Sequence, residues 1–192
     1  MKKFVWGLLL FHIMFTVVAA HAQDNEDAIN YIKPTDTAVL RTLNTWQDMK
    51  FGLLMHWGTY SQWGIVESWS ICPEDEGWEL RTGPYAQSYY GYVKAYENLQ
   101  TTFDPVKFNP EKWAAAAKDA GMKYVVFTTK HHDGFCMFDT RQTDYKITSP
   151  HTPFSSNPRA NVAKEIFNAF RKDNFMVGAY FSKPDWHCPD YW

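Results

Sequence analysis

Residues 124–135, YVVFTTKHHDGF, decide how the rest of this chain is interpreted. The first six are mostly aromatic and β-branched, which is typical of a buried strand. Residues 130–133 then place a cation, two imidazoles and a carboxylate in four consecutive positions before a glycine. A buried strand would have to satisfy each of these groups, whereas the C-terminal mouth of a strand lets them share a cleft. The stretch therefore predicts a polar pocket at the end of a strand.

Two further segments repeat this arrangement of an apolar run that ends in polar side chains. They are residues 51–58, FGLLMHWG, and residues 175–187, FMVGAYFSKPDWH. Between the three runs, residues 109–120 begin with Asn-Pro-Glu, which predicts a helix start, and residues 161–172 are amphipathic. The order strand, helix, strand, helix, strand predicts an α/β fold of parallel units. In such folds ligand groups collect beyond the C-terminal ends of the strands.

The remaining segments are less regular. Residues 37–48 have moderate helical character, and residues 85–99 predict a helix with an aromatic face. That helix lies inside a long connection, residues 59–108, which we expect to be structured or functional because of its length. No Gly-x-Gly-x-x-Gly or phosphate-binding loop follows the first strand, so a dinucleotide-binding fold is disfavoured.

The N-terminus has the features of a secretory signal peptide. Two lysines precede an almost unbroken apolar run over residues 4–20, and Ala20-His21-Ala22 is a small-x-small cleavage site. We therefore expect residues 1–22 to be removed and the mature chain to be exported, to the periplasm or outside the cell. The alternative is an anchoring helix that is retained, although the run is near the lower length limit for a membrane span.

The charge balance bears on the partners. Residues 1–22 hold two of the 19 basic residues and none of the 21 acidic ones, so their removal takes the net charge from −2 to −4. A mildly acidic chain with no basic run is a poor candidate for binding nucleic acid or an anionic membrane. We expect a neutral partner. Cys72, Cys136 and Cys188 are too few for a disulfide scaffold, and one bridge of undetermined pairing is left open.

Aromatic residues make up 18% of the chain, with 9 Trp, 11 Tyr and 14 Phe. Four tryptophans fall in Gly- and Ser-containing stretches where loops are expected. Exposed aromatic faces suit sugar rings, which present C–H surfaces and hydroxyls together. Packing beneath a long loop is the equally weighted alternative. These tryptophans are Trp57, Trp63, Trp69 and Trp78.

Three stretches together resemble the α-L-fucosidase family, glycoside hydrolase family 29. They are His56-Trp57-Gly58, Glu67-Ser68-Trp69 and the motif at residues 130–135, and the resemblance extends from about residue 33 to the end. It implies a (β/α)8 TIM-like barrel of which residues 23–192 hold about the first three units. It also implies a retaining hydrolase that acts on terminal α-linked L-fucose in glycans or glycoconjugates.

The resemblance carries the family's sugar contacts onto this chain. The family's Glu-Trp pair is split here by Ser68, and Phe181 is an alternative to Tyr180 on the third strand. The implied substrate-binding residues are His56, Glu67, Trp69, His131, His132 and Tyr180. Three histidines would suit zinc by spacing, but the resemblance gives no metal role and no helix carries His-x-x-x-His. We expect no metal and no cofactor.

No catalytic carboxylate is assigned within this chain. The family's nucleophile and acid/base lie on later strands, so both are expected C-terminal to Trp192. Asp133 is expected instead to orient a ring or to form a turn. Two functions remain open. One is a fucosidase of which this chain is the N-terminal part, and the other is a non-catalytic fucose-binding or degenerate protein. The oligomeric state is not predicted.

Overall fold

The computed structural model of the protein describes residues 32–73 and 79–191. These residues fall into two compact units that divide between Leu40 and Arg41. The sheet and the candidate site lie wholly in the second unit. The predicted signal peptide lies outside the described residues. Within the described part of the chain, no helix is long and apolar enough to cross a membrane.

The sheet of the described residues is parallel. It contains β1 (Gly52–Met55), β2 (Tyr124–Lys130) and β3 (Met176–Phe181), in that order, with β2 in the centre. Met55 pairs with Phe127, and Thr128 pairs with Tyr180. The predicted α/β arrangement is therefore confirmed. Because all three strands run the same way, the residues that follow them meet at one edge.

Four α-helices accompany the sheet in the described part of the chain, and each matches a predicted segment. They are α1 (Thr37–Met49), α2 (Tyr89–Glu97), α3 (Pro110–Asp119) and α4 (Val162–Lys172). The side chain of Asn109 accepts a hydrogen bond from the Lys112 amide at 3.0 Å, which caps α3 as its sequence predicts. Asn161 caps α4 in the same way.

The main core lies between the sheet and the two crossover helices. Val125 and Phe127 of β2 are fully buried, and they pack with Ala114 of α3 and with Ile166 and Phe170 of α4. Each large apolar side chain buried in this way contributes about 1.5–3 kcal/mol to folding. This packing fixes β2, and with it the position of the motif that follows.

A second core is built by the long connection between β1 and α3. Tyr60, Ile71, Tyr92, Tyr96 and Leu99 form a separate buried cluster, with the two α2 tyrosines at its centre. The prediction that this connection is structured is therefore confirmed. The aromatic face of α2 turns inward and anchors the segment that leads from β1 to Trp69.

Two of the loop tryptophans belong to these cores. Trp57 packs at 5.2–5.8 Å from the rings of Phe103, Phe108 and Trp113. Trp63 lies 5.2 Å from Tyr92. For both residues the packing alternative is the correct one. Trp78 lies outside the described residues.

The three cysteines form no disulfide with one another. Cys72 and Cys136 are buried, and Cys188 is half-buried. The single bridge that the sequence left open is not formed among them. Burial raises the pKa of the Cys136 thiol to about 12, so this group stays protonated at neutral pH.

Replacement of Asn109 by Ala tests the helix cap. We expect the free energy of unfolding of the full-length protein to fall by about 1 kcal/mol, because the Lys112 amide loses its acceptor. Asn168→Ala on the exposed face of α4 is the matched control. It should stabilise by a few tenths of a kcal/mol, because Ala has the higher helix propensity. Urea unfolding measures both, and equal effects of the two changes would contradict the assignment.

Candidate functional site

The site lies at the C-terminal edge of the sheet. His56 directly follows β1, His131 and His132 directly follow β2, and Tyr180 is the penultimate residue of β3. The parallel register places these four side chains side by side, although up to 124 positions separate them in sequence, from His56 to Tyr180. The predicted pocket floor is thus built from all three strands.

The four rings form one cluster. The centroid of His131 lies 5.4 Å from that of His56, 4.2 Å from that of His132 and 6.0 Å from that of Tyr180. Tyr180 also lies 5.4 Å from His56. Phe181, the alternative on the third strand, is not in this cluster. Its ring lies against the Lys130 ammonium, at 4.9 Å.

Each imidazole is held through its Nδ1 atom by a side-chain hydroxyl. His56 Nδ1 lies 2.8 Å from Thr128 Oγ1, and His131 Nδ1 lies 2.6 Å from Ser68 Oγ. His132 Nδ1 is hydrogen-bonded to Ser182 Oγ. The three hydroxyl residues are buried and come from three different segments. Their common arrangement fixes the ring planes and leaves the Nε2 side of each imidazole for a ligand.

Tryptophans cover one side of the histidine pair. Trp69 lies 4.8 Å from His132, and Trp186 lies 4.9 Å from the same ring. The two indoles are 5.8 Å apart, so they form a continuous apolar wall. Sequence reasoning selected Trp69 and gave no role to Trp186. The only sequence signal for Trp186 was its position among the polar residues that follow β3.

Glu67 lies just before the short 3-10 helix Trp69–Ile71 and has an unusual backbone. Its φ of 44° is in the left-handed region, which costs free energy for a residue with a side chain. Tyr60, buried beside His131 at 6.1 Å, has a raised pKa because of burial first and then the charges of Asp133 and Glu67. The Glu67 carboxylate thus acts electrostatically on Tyr60. Such local strain is typical of functional positions.

The two acids nearest the histidines are already engaged. The Tyr96 hydroxyl donates to Asp133 Oδ2 at 2.7 Å, and the Phe135 amide donates to Asp133 Oδ1 at 3.2 Å. Asp133 therefore forms the turn, which is one of the two roles that the sequence left open, and within the described residues it has no hydrogen bond to an imidazole. Asp185 pairs with Lys130, whose Nζ lies 3.1 Å from its carboxylate and is almost fully buried.

His131 and His132 are neutral at physiological pH. Burial lowers the pKa of His131 to about 3, helped by the neighbouring His132, His56 and Lys130. Burial and Lys130 also lower the pKa of His132. Asp133 shows the opposite response for the same reason, since burial raises its pKa to about 6. Two neutral imidazoles side by side suit an uncharged, hydroxyl-rich ligand better than an anion.

No group of three or more His, Cys, Asp or Glu side chains within residues 32–73 and 79–191 is arranged to hold a metal ion. The contacts that the structure shows at the histidines are hydrogen bonds and ring contacts. All three Nδ1 atoms have hydroxyl partners, and the His131 ring meets those of His56 and His132 edge to face or tilted at 4.2–5.4 Å.

The sequence profile of the family described as alpha-L-fucosidase matches residues 17–192, nearly the whole chain. This chain belongs to the alpha-L-fucosidase family. Tissue alpha-L-fucosidase of Rattus norvegicus is 30% identical over 97% of this chain and 38% of its own length. A putative alpha-L-fucosidase of Caenorhabditis elegans is 28% identical over 92% of this chain and 35% of its own length.

Solved structures of alpha-L-fucosidases share the fold. Isoenzyme 1 from Paenibacillus thiaminolyticus matches 81% of this chain with 40% identity and a TM-score of 0.64, over 32% of its own length. A family 29 enzyme from Bacteroides thetaiotaomicron, trapped as a covalent intermediate with 2-fluoro-fucosyl fluoride, matches 85% of this chain at 29% identity and a TM-score of 0.62, over 34% of its own length. The chain thus spans about a third of the length of the fucosidases that it matches.

The structure brings together five of the six sequence-predicted residues through ring contacts, whereas Glu67 lies two positions before Trp69 in the chain. Sequence reasoning missed the three hydroxyls of Ser68, Thr128 and Ser182. Serine and threonine are common in strands and loops, so their presence alone carries no signal. Only their contacts across the sheet edge distinguish them.

His131 and Asp133 should affect the pH dependence of the free energy of unfolding in opposite directions. The pKa of His131 is lowered, so the stability it supports is complete above pH 6.5 and is lost as the pH falls toward 3. The pKa of Asp133 is raised, so its contribution increases as the pH falls from about 6 toward 3.8. Between pH 6 and pH 4, the titration of each group should change the free energy of unfolding by about 2 kcal/mol.

We expect Asp133→Asn to lose more stability than the wild type between pH 6 and pH 4, and His131→Asn to lose less. Urea unfolding of the full-length protein at the two pH values measures the differences. Comparison within each variant removes the constant cost of the substitution. Parallel pH profiles for all three proteins would show that neither group titrates as its burial requires.

Ser68 and Ser70 form a matched pair for testing the hydroxyl contacts. Both are fully buried in one short segment, but Ser68 Oγ contacts His131 whereas Ser70 Oγ has no hydrogen-bond partner within the described residues. Ser68→Ala should lower the free energy of unfolding by about 1–3 kcal/mol, because His131 Nδ1 is left without its buried partner. Ser68→Thr should recover most of this loss, and Ser70→Ala should cost less than Ser68→Ala, because it removes no hydrogen bond within the described residues. Equal losses for the two alanine variants in urea unfolding would show that Ser68 does not hold the ring.

Proposed function

We propose that the full-length protein is a retaining exo-glycosidase that hydrolyses terminal α-linked L-fucose from glycans or glycoconjugates. Family membership supports the reaction. The single structural observation that carries the choice of ligand is the cluster of His56, His131 and His132, each held through Nδ1 and placed beside Trp69 at the sheet edge.

The chemistry of the cluster fits a pyranose ring. A neutral imidazole can donate or accept at Nε2, so it can meet a sugar hydroxyl in either sense. The Tyr180 hydroxyl adds a further donor or acceptor, and the Glu67 carboxylate accepts strongly. The indole of Trp69 offers a face for the C–H surface of the sugar. In this proposal these six residues bind the fucose and none of them breaks the glycosidic bond.

Bond cleavage is assigned to carboxylates elsewhere in the protein. A retaining glycosidase needs two carboxyl groups about 5–5.5 Å apart across the scissile bond. Asp133 and Asp185 are committed to Tyr96 and Lys130, which argues against both. We place the nucleophile and the acid/base in the two thirds of the relatives' length that this chain does not span. The covalent intermediate of the Bacteroides thetaiotaomicron relative supports a retaining reaction.

The proposal also covers the fold of the whole protein and its location outside the cytoplasm. We propose that β1, β2 and β3 are the first strands of a (β/α)8 barrel, because their C-terminal edge carries the ligand groups as in barrels of that type. We also propose export with removal of residues 1–22, on the basis of the apolar run and the small-x-small site. A glycan is then met outside the cytoplasm.

Replacement of His131 by Ala tests the proposed function. In the full-length protein, kcat/KM for 4-nitrophenyl α-L-fucoside should fall by about 100-fold or more, because hydrogen bonds that tighten in the transition state are lost. His151→Ala is the matched control, since His151 is exposed and lies outside the ring cluster. It should leave kcat/KM unchanged.

Two outcomes would count against the proposal. A loss smaller than threefold in His131→Ala would remove His131 from the sugar site. Wild-type protein that binds L-fucose but releases no nitrophenol would identify the alternative, a non-catalytic fucose-binding protein. Calorimetry with L-fucose, performed beside the kinetic assay, separates the two results.

A further inference from the structure

The turn that follows β3 holds the polar motif that follows β2. Ser182 Oγ contacts His132 Nδ1, and Lys130 Nζ contacts both the Pro184 carbonyl and the Asp185 carboxylate at 3.1 Å. We propose that Ser182, acting with the Pro184 carbonyl, fixes His132 as the Nδ1–H tautomer, so that Nε2 meets the sugar only as a hydrogen-bond acceptor. The part of this proposal that concerns the sugar rests on the proposed function.

The number of protons on Ser182 Oγ determines the tautomer. A serine hydroxyl has a single proton. Ser182 Oγ donates that proton to the Pro184 carbonyl oxygen at 3.2 Å. A carbonyl oxygen can only accept, so the direction of this bond is fixed. Ser182 Oγ therefore faces His132 with a lone pair, and the proton between them has to come from Nδ1.

The neutral state of the ring completes the assignment. Burial and the nearby Lys130 ammonium disfavour the imidazolium, so the His132 ring has one N–H. With that proton on Nδ1, Nε2 carries only a lone pair. Only this tautomer satisfies the contacts to Ser182 and Pro184 together.

His132 differs in this respect from the other two histidines. Within the described residues, Ser68 Oγ and Thr128 Oγ1 have hydrogen bonds only to His131 and His56, respectively. Their protons are not committed to a carbonyl, so these two contacts are compatible with either tautomer. Ser182 is thus the one positioning residue of the three whose geometry sets the sense of the sugar contact.

The Nδ1–H tautomer of His132 affects which substrates the site accepts. A lone pair at Nε2 requires a substrate group with a proton to give, as a pyranose hydroxyl has. A fluorine or a methyl ether at the same ring position has no such proton. His132 therefore selects for a free hydroxyl and against its capped or deoxyfluoro analogue. Removal of a hydrogen-bond partner inside a buried polar site typically costs more than the bond contributes.

Nuclear magnetic resonance of the full-length protein with ¹⁵N-labelled histidine tests the tautomer directly, without any ligand. The signals of His132 are identified by their loss in His132→Gln. We expect a protonated Nδ1 and an unprotonated Nε2 for this ring at pH 7. A protonated Nε2 in the wild-type protein would overturn the proposal.

Variants of Ser182 test its cause. Ser182→Ala should abolish the fixed Nδ1–H state, whereas Ser182→Thr keeps a hydroxyl and should preserve it. Ser70→Ala removes a buried hydroxyl that has no hydrogen-bond partner among residues 32–73 and 79–191, so it should leave the His132 signals in place. An unchanged tautomer in Ser182→Ala would remove Ser182 from this role. A purely structural effect would alter stability and would not move the proton from one ring nitrogen to the other.

Measurement of L-fucose binding separates the proposed tautomer from the proposed function. Ser182→Ala should raise the dissociation constant about tenfold while Ser182→Thr stays within about threefold. Nδ1–H in a protein that does not bind L-fucose would leave the tautomer assignment intact and reject the proposed function. Binding of L-fucose by a protein whose His132 has a protonated Nε2 would do the reverse.

Discussion

The parallel pairing of β2 with both of its neighbours is the constraint on which this structure depends. It aligns the C-terminal ends of the three strands at one edge of the sheet. Thr128 shows how closely the site depends on the register, since it pairs with Tyr180 on one side and contacts His56 on the other. A shift of one residue would turn every side chain of a strand to the opposite face. The ring cluster would then not form.

Burial gives this edge its chemical character. Removal of water from around the His131 and His132 rings disfavours their charged forms, and the same effect raises the pKa of the Asp133 carboxyl. The site consequently offers hydrogen-bonding groups with little net charge. This matches the overall sequence, whose mild acidity and lack of a basic run gave no reason to expect an anionic partner. A neutral sugar is the ligand class that both observations favour.

The charged groups of the motif support the site from behind. Lys130 is buried, and it is balanced by Asp185 and by the Pro184 carbonyl. Asp133 ties the motif to α2 through the Tyr96 hydroxyl. Loss of one partner would leave an uncompensated buried charge, which is far more costly than loss of a surface pair. The long connection thus contributes more than Trp69, because its tyrosine core holds the turn of the motif in place.

The sequence by itself determined the elements and their order. Apolar runs, amphipathic segments and Asn caps are local features, so the strands and helices could be predicted to within a few residues. The strand-end motifs also identified His56, His131 and His132, because ionisable groups that follow an apolar run are poor candidates for the hydrophobic core. The choice between Tyr180 and Phe181 needed the register, and the choice between packing and exposure for Trp57 and Trp63 needed the cores. Only the tertiary structure decided that Ser68, Thr128 and Ser182 hold the three imidazoles. Hydrogen bonds over 50 to 72 positions leave no pattern in one chain, and their direction depends on every other acceptor within reach.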